Sequence, residues 1–202
     1  MRLYSYVVAR DYGFAPNPFY GLCTLATCKP MIRRMAQIGD WVVGTGSKQS
    51  NRRGHIVFAM RVTETLTFDE YWSDSRFARK RPELAGSKKQ AFGDNIYHRE
   101  RSGVWRQENS HHSHTDGSEN PSNIANDTQT NRVLLSDDFV YWGGSGPTIA
   151  RRFREFDGLD VCAGRGYKSA FPDRLVREFV EWIRSRDERG YAGIPLDWAK
   201  AP

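Results

Sequence analysis

Hydrophobic and polar positions change period several times along the chain, and each change marks an element. The opening run "RLYSYVVAR" alternates and predicts a strand, while "DYGFAPNPFYGLCTLATCKP" holds three prolines and two glycines and predicts a loop. Its aromatics are expected to pack back onto a core. "KPMIRRMAQIGD" reads as a short amphipathic helix: Pro30 suits the first turn, and Met31, Met35 and Ile38 share a face. Gly39 and Asp40 then turn into "WVVGTGS", a short strand, followed by the polar loop "KQSNRRG". "HIVFAMRVTETLTF" is the longest strand-like run. "FDEYWSDSRF" predicts a helix with Thr67 as N-cap and Glu70 in the capping-box position.

Further strands are expected at Asn95–Tyr97, at "GVWRQ" and at "RVLLSDDFVYW"; "GGSGP" reads as a turn and "TIARRFREF" as helical. The last element, Pro172–Arg186, carries the apolar stripe Leu175, Val176, Phe179, Val180 and Ile183 and is a packing helix. Residues 108–131 contain almost nothing apolar besides Ile124 and Ala125, which predicts a polar loop insertion, disordered or acting as a lid. No internal repeat is visible. Without regular strand–helix–strand alternation, the expected class is α+β: one domain over residues 1–202, a curved sheet or small barrel with flanking helices and a C-terminal helix.

Composition narrows this little. Apolar residues make up 39%, which is low, but the 13% that are aromatic supply burial area for a core. No apolar run approaches the roughly 20 residues that span a bilayer. The N-terminus lacks a signal peptide's apolar region, and three cysteines form no paired framework, so a soluble protein of the reducing cytoplasm, without membrane partners, is expected.

Charge changes more. The net charge is +6, and the segment from Arg76 to Arg106 alone holds nine basic against three acidic residues, also +6. Such concentration suits phosphate contact, although ordinary solvated side chains give the same count. Cys23 and Cys28 are spaced too widely for a zinc knuckle, with no second pair, and read as buried thiols. "GGSGP", "AGRGYKSA" and "GTGSKQS" miss the nucleophile-elbow, dinucleotide and phosphate-loop patterns, although the last could cradle an anion with backbone amides. "HHSH" offers imidazoles at His111, His112 and His114, but in so polar a stretch no preorganised metal site is expected, and no cofactor. One of these rings could instead enter a neighbouring pocket as acid–base.

Two features point to nucleobases. Trp41, Tyr71, Trp72, Trp105, Tyr141 and Trp142 each adjoin charged or glycine-rich sequence; indole faces stack on bases, although at least half of this set belongs in a core. "GDNIYH" places Asp94 and Asn95 side by side, an acceptor and a donor–acceptor that can read a base edge, with Tyr97 as a wall. A turn capped by its own Asx side chains explains the same residues.

"IGDWVVGTGS" followed by "GHIVFAMRVTE" resembles the PUA-like superfamily, which includes the EVE, ASCH and YTH domains. "FDEYWSDSRFARKRP", "FGDNIYH" and "VLLSDDFVYWGG" resemble the second of the nucleotide-modification-associated domains, which occur with phage and bacterial systems that modify DNA bases. Over most of Met1 to Ile149 the resemblance implies a PUA-like barrel working close to modified bases. It implies DNA ahead of RNA and protein partners from a modification system. The positions it carries over are Asp40-Trp41, Gly44 to Lys48, Tyr71-Trp72, Asp94-Asn95-Tyr97 and Tyr141-Trp142.

The leading expectation is a nucleic-acid-binding domain that holds an extruded or modified base. Trp41 and Trp105 would stack, Asp94 and Asn95 read the edge, and Tyr97 form a wall. Lys48, Arg52, Arg53, Lys88 and Lys89 would meet phosphates. The alternative is an enzyme, a hydrolase or glycosidic-bond cleaver, with Asp94 as base and His98, His111 or His114 as its partner. A regulatory subunit docking through its basic surface comes third.

Overall fold

The computed structural model describes residues 1–199. The strands are β1 (Leu3–Val8), β2 (Cys23–Leu25), β3 (Trp41–Gly46), β4 (Ile56–Arg61), β5 (Glu64–Leu66) and β6 (Tyr97–Arg99). They continue with β7 (Trp105–Gln107), β8 (Val133–Ser136), β9 (Asp138–Tyr141), β10 (Tyr167–Lys168) and β11 (Gly190–Tyr191). The helices are α1 (Pro30–Met35), α2 (Phe68–Ser73), α3 (Lys88–Ala91), α4 (Pro121–Thr128), α5 (Arg151–Arg154) and α6 (Asp173–Arg184). The class is α+β, and among the described residues no sheet closes into a barrel. The described residues form two compact units: Met1–Asp11, Ala36–Thr63 and the described residues from Ser136 on make the first; Tyr12–Met35 and Glu64–Leu135 make the second.

The first unit is built on a six-stranded mixed sheet, ordered β10-β1-β3-β4-β9-β11. β1 runs parallel to β3 from Leu3↔Trp41 to Val8↔Gly46, and β4 pairs antiparallel with both β3 and β9. Every residue of β3 is buried, which is why its sequence, Trp-Val-Val-Gly-Thr-Gly, shows no strict polar–apolar alternation. At Gly44 the β3–β4 register shifts, and a Cβ there would stand 2.3 Å from the Phe58 ring, so the close approach requires glycine. The predicted stripe of α6 is buried as expected, in one cluster with Leu3, Trp41, Val43 and Phe153. Each such side chain contributes roughly 1.5–3 kcal/mol by leaving water.

The second unit holds the three-stranded sheet β2-β8-β5 and the hairpin β6-β7. Its core gathers Phe14, Phe68, Tyr71, Phe77, Ile96 and Tyr97 with Val133 and Leu135. The capping box of α2 forms as the sequence predicts: Glu70 N donates to Thr67 Oγ1, and Thr67 N donates to Glu70 Oε2 at 2.7 Å.

Three expectations change. The long run from His55 divides into β4 and β5, which lie in different sheets, and "RVLLSDDFVYW" divides likewise into β8 and β9. The face of Met31, Met35 and Ile38 is exposed, at 40%, 43% and 64%; α1 buries Ile32 and Arg33 instead. The stretch 108–131 folds in part as α4, with Asn120 accepting from Ser122 N and Asn123 N and Pro121 opening the helix. Polar bonds hold this segment in place of apolar burial. Gln107 accepts from Asn120 N at 2.7 Å, and Asn123 Nδ2 donates to the carbonyl of His112 at 2.7 Å.

Candidate active site

Two polar clusters lie inside the second unit. The first surrounds Asp94, which is fully buried; its carboxylate accepts from Thr24 Oγ1 and from the Tyr71 hydroxyl, each at 2.7 Å. Lys80, 1% exposed, donates from Nζ to Asn17 Oδ1, the carbonyls of Asn17 and Leu22, and Thr24 Oγ1. Burial pushes the Asp94 carboxyl up and the Lys80 ammonium down, while their mutual attraction resists both shifts. Asn95 is fully buried too. Its Nδ2 donates to the carbonyls of Tyr71 and Phe77, and its Oδ1 has no hydrogen-bond partner. Neither Asp94 nor Asn95 offers an edge to solvent here, and Asp94 bonds no histidine.

The second cluster brings together residues far apart in sequence. Cys28 Sγ lies 3.6 Å from His112 Nε2, and His112 Nδ1 lies 3.0 Å from Asp127 Oδ2. The Tyr97 hydroxyl donates to Asp127 Oδ2 at 3.0 Å and accepts from Gln107 Nε2 at 3.1 Å. Asp127 Oδ1 accepts from Cys28 N and Asn126 Nδ2, so the buried carboxylate is satisfied on both oxygens. Burial would lower the His112 pKa, but the hydrogen bonds and charges of Asp127 and Cys28 outweigh it and hold the imidazole up at about 9. The ring is therefore an imidazolium near neutrality, donating on one side to the carboxylate and on the other to the sulfur.

Cys28 precedes α1 in a left-handed conformation, φ 57°, which costs a non-glycine residue about 1–2 kcal/mol. Its backbone is clamped from both sides: Cys28 N donates to Asp127, and Arg33 Nε donates to its carbonyl at 2.9 Å. The same guanidinium, fully buried, donates to the carbonyls of Asp127, Thr130 and Arg132. Cys28 and His112 are partly open to solvent, whereas Cys23 and Cys162 are buried. Beside them stands an aromatic wall. The His112 ring lies 4.6 Å from Phe14, Tyr12 stacks on Phe92 at 4.9 Å, and His111 packs against Tyr12, Phe14 and Phe92.

Cys28, His112 and Asp127 are also a possible metal-ligand set, their donor atoms lying within 4.8 Å of one another. Opposite ring nitrogens of His112 face the sulfur and the carboxylate, so an ion at Nε2 would keep Cys28 and leave Asp127 outside its first shell. That donor set fits a nucleophile, base and orienting acid better than a closed metal centre.

The other residues singled out in the sequence lie elsewhere. His98 pairs with Glu108 at 2.9 Å and stacks on Trp72, over which Arg81 also sits at 3.9 Å. His114 is exposed. Trp105 is half-buried, with its edge to Phe68 and Arg99 over its ring. Trp41 is 2% exposed, within the core of the first unit, as is Trp142, whose Nε1 donates to Glu188. Tyr141 is buried and donates to Asp11. Lys48, Arg53 and Lys89 are exposed, Lys88 is half-buried, and Arg52 donates to the Gly146 carbonyl at 2.7 Å.

Comparison with known families adds the context. The family model described as nucleotide modification associated domain 2 matches residues 1–202. The chain belongs to this family. Neither a curated protein nor a solved structure matches it. Within this nucleotide-modification-associated domain no helix among the described residues is long and apolar enough to cross a membrane.

Sequence reasoning missed all three members of the cysteine cluster as a set. Within the tetrapeptide "HHSH", the ring that joins this cluster is His112, and not His111 or His114. A cysteine directly before a helix-opening Lys-Pro, with histidine and aspartate later in the chain, was the available signal.

Proposed function

We propose that this domain is an enzyme that uses Cys28 as a nucleophile on an acyl or amide group carried by a modified base or nucleotide. The observation that carries the reading is the Cys28–His112–Asp127 arrangement, with sulfur and carboxylate on opposite nitrogens of one imidazole. Family membership supports the nucleotide context. Within it, nucleic acid, DNA ahead of RNA, is the partner, alongside proteins of a base-modification system in the cytoplasm. The PUA-like kinship suggested by "IGDWVVGTGS" belongs to the same reading.

The chemistry follows from the contacts. The Cys28 thiolate, its proton held on His112 Nε2, attacks the carbonyl carbon; a carbon–sulfur bond forms and the carbonyl electron pair moves to oxygen. When the tetrahedral adduct collapses, the bond to the leaving nitrogen or oxygen breaks, and His112 gives that atom its proton. Water, or a second nucleophile, then loses a proton to His112, attacks the thioester and releases the thiolate. Asp127 keeps Nδ1 protonated and stabilises the imidazolium throughout. Tyr12, Phe14, Phe92 and His111 supply a surface on which a planar base can rest.

A second reading keeps the aromatic wall and drops the chemistry: the domain holds an extruded base without changing it. Mass spectrometry separates the two. Modified and unmodified oligonucleotides and nucleotides are incubated with wild type and with Cys28→Ser, and both nucleosides and intact protein are weighed. A changed nucleoside mass, or an acyl adduct on wild type absent from Cys28→Ser, supports the enzyme. Intact nucleosides, with equal binding of modified strands by both proteins, would leave only recognition.

A further inference from the structure

The first unit carries a cleft that the cysteine chemistry does not use. It has a volume of about 400 Å³, and its lining includes Ser47, Lys48, Arg53, Asp160, Gly164 and Lys168. Lys48 and Arg53 come from the loop between β3 and β4, which is tied to itself: Ser50 N donates to Ser47 Oγ, Asn51 N to the Lys48 carbonyl, and Arg52 N to the Ser47 carbonyl. The loop therefore presents its cations from a set backbone, and a bridge between Gly46 and Arg53 closes its base. Arg52, between them in character, is turned to the Gly146 carbonyl and is spent there.

Neither Lys48 nor Arg53 has an acidic partner among the described residues. The one carboxylate in the cleft, Asp160, already accepts from Arg154 Nε and Cys162 N, each at 2.8 Å. Lys168 adds a third cation, and its Nζ donates only to the Asp160 carbonyl, an uncharged acceptor. Three like charges gathered in a concave surface, with the local acid engaged elsewhere, leave a positive potential that an anion relieves. Gly164, where an added Cβ would meet nothing within 4 Å, leaves its backbone open to close approach by such an anion.

We propose that this cleft binds a phosphate group, carried either by a nucleotide or by the backbone of a nucleic-acid strand. Lys48, Arg53 and Lys168 hold it. The cleft shares no residue with the Cys28 cluster, so each proposal can fail without the other.

The full chain is titrated into a labelled single strand of about twelve nucleotides, with fluorescence anisotropy read at several salt concentrations. Deoxycytidine 5′-monophosphate and inorganic phosphate serve as competitors. Lys48→Glu with Arg53→Glu should weaken binding at least tenfold and flatten the salt dependence by about 1.4 log units per log unit of salt, two single-strand contacts. Displacement by the mononucleotide makes the occupant a nucleotide phosphate; binding of the strand alone makes it a backbone phosphate. Unchanged affinity and slope in the charge-reversed pair, with the same circular dichroism, overturn the proposal. So does an equal loss from reversing Arg10 and Arg101, two exposed arginines that do not line the cleft.

Discussion

The two polar clusters of the second unit use nearly the same parts to opposite ends. Each has a fully buried aspartate, a tyrosine hydroxyl donating to it, and a nitrogen cation nearby. Around Asp94 every charged member is sealed, and Lys80 spends its hydrogens on four acceptors. Around Asp127 the titrating cation is a histidine with a cysteine sulfur beside it, and both residues remain partly open to solvent. A closed polar network specifies a core; the same network with one reactive member at its edge is equipped for chemistry. What separates them is access, together with the residue type at the exposed end.

The largest effect that sharpens this contrast is on stability. Lys80→Met leaves Asp94 without a nearby cation and the oxygens of Asn17 and Leu22 without their donor, and should cost about 3–5 kcal/mol in urea unfolding. Iodoacetamide labelling of Cys28 should not change in the folded single variant; a large change would mean that the clusters are not separate.

Next is a pH effect confined to the other cluster. The His112 pKa is raised in the folded state, from 6.5 to about 9, so its contribution is complete below about pH 6.5 and disappears as pH rises through 9. Wild type should lose about 3 kcal/mol across that window relative to His112→Gln, which lacks the titration. Parallel stability curves for the two proteins would disconnect His112 from Asp127.

Smaller again is the effect on reactivity. His112→Gln should slow alkylation of Cys28 at pH 7 by tenfold or more, as tracked by intact mass. Burial pushes the thiols of Cys23 and Cys162 up, so they should stay unlabelled in the folded protein and report only on unfolding. The smallest expected loss, about 1 kcal/mol, comes from Tyr97→Phe, which removes one hydrogen bond to Asp127 and leaves Gln107 short of an acceptor.

Local signals were legible in the sequence. The capping box at Thr67 and Glu70 and the stripe on α6 depend on neighbours within a turn or two, and both form as read. The α+β class followed from the order of strand-like and helical runs. Less visible was where a strand-like run ends: β4 and β5 are contiguous in hydropathy, yet lie in different sheets. The face of α1 was misjudged because a buried arginine looks solvent-facing until its carbonyl partners are known. The cysteine cluster was the least legible part. Cys28 and His112 stand 84 positions apart, and Asp127 lies in a stretch that composition alone marks as a loop. Which histidine of "HHSH" turns inward depends on bonds to Ser110 and Asn123, and not on the histidines themselves.

Arg33 has a consequence for how this site tolerates sequence drift. It grips main-chain oxygens at positions 28, 127, 130 and 132, and no carboxylate, so the frame it holds is indifferent to which side chains occupy positions 130 and 132. Substitutions at positions 130 and 132 should therefore leave the spacing of sulfur, imidazole and carboxylate unchanged. The arginine itself has no substitute, because a lysine offers a single point donor where the planar guanidinium fork reaches carbonyls from Nε and both terminal nitrogens.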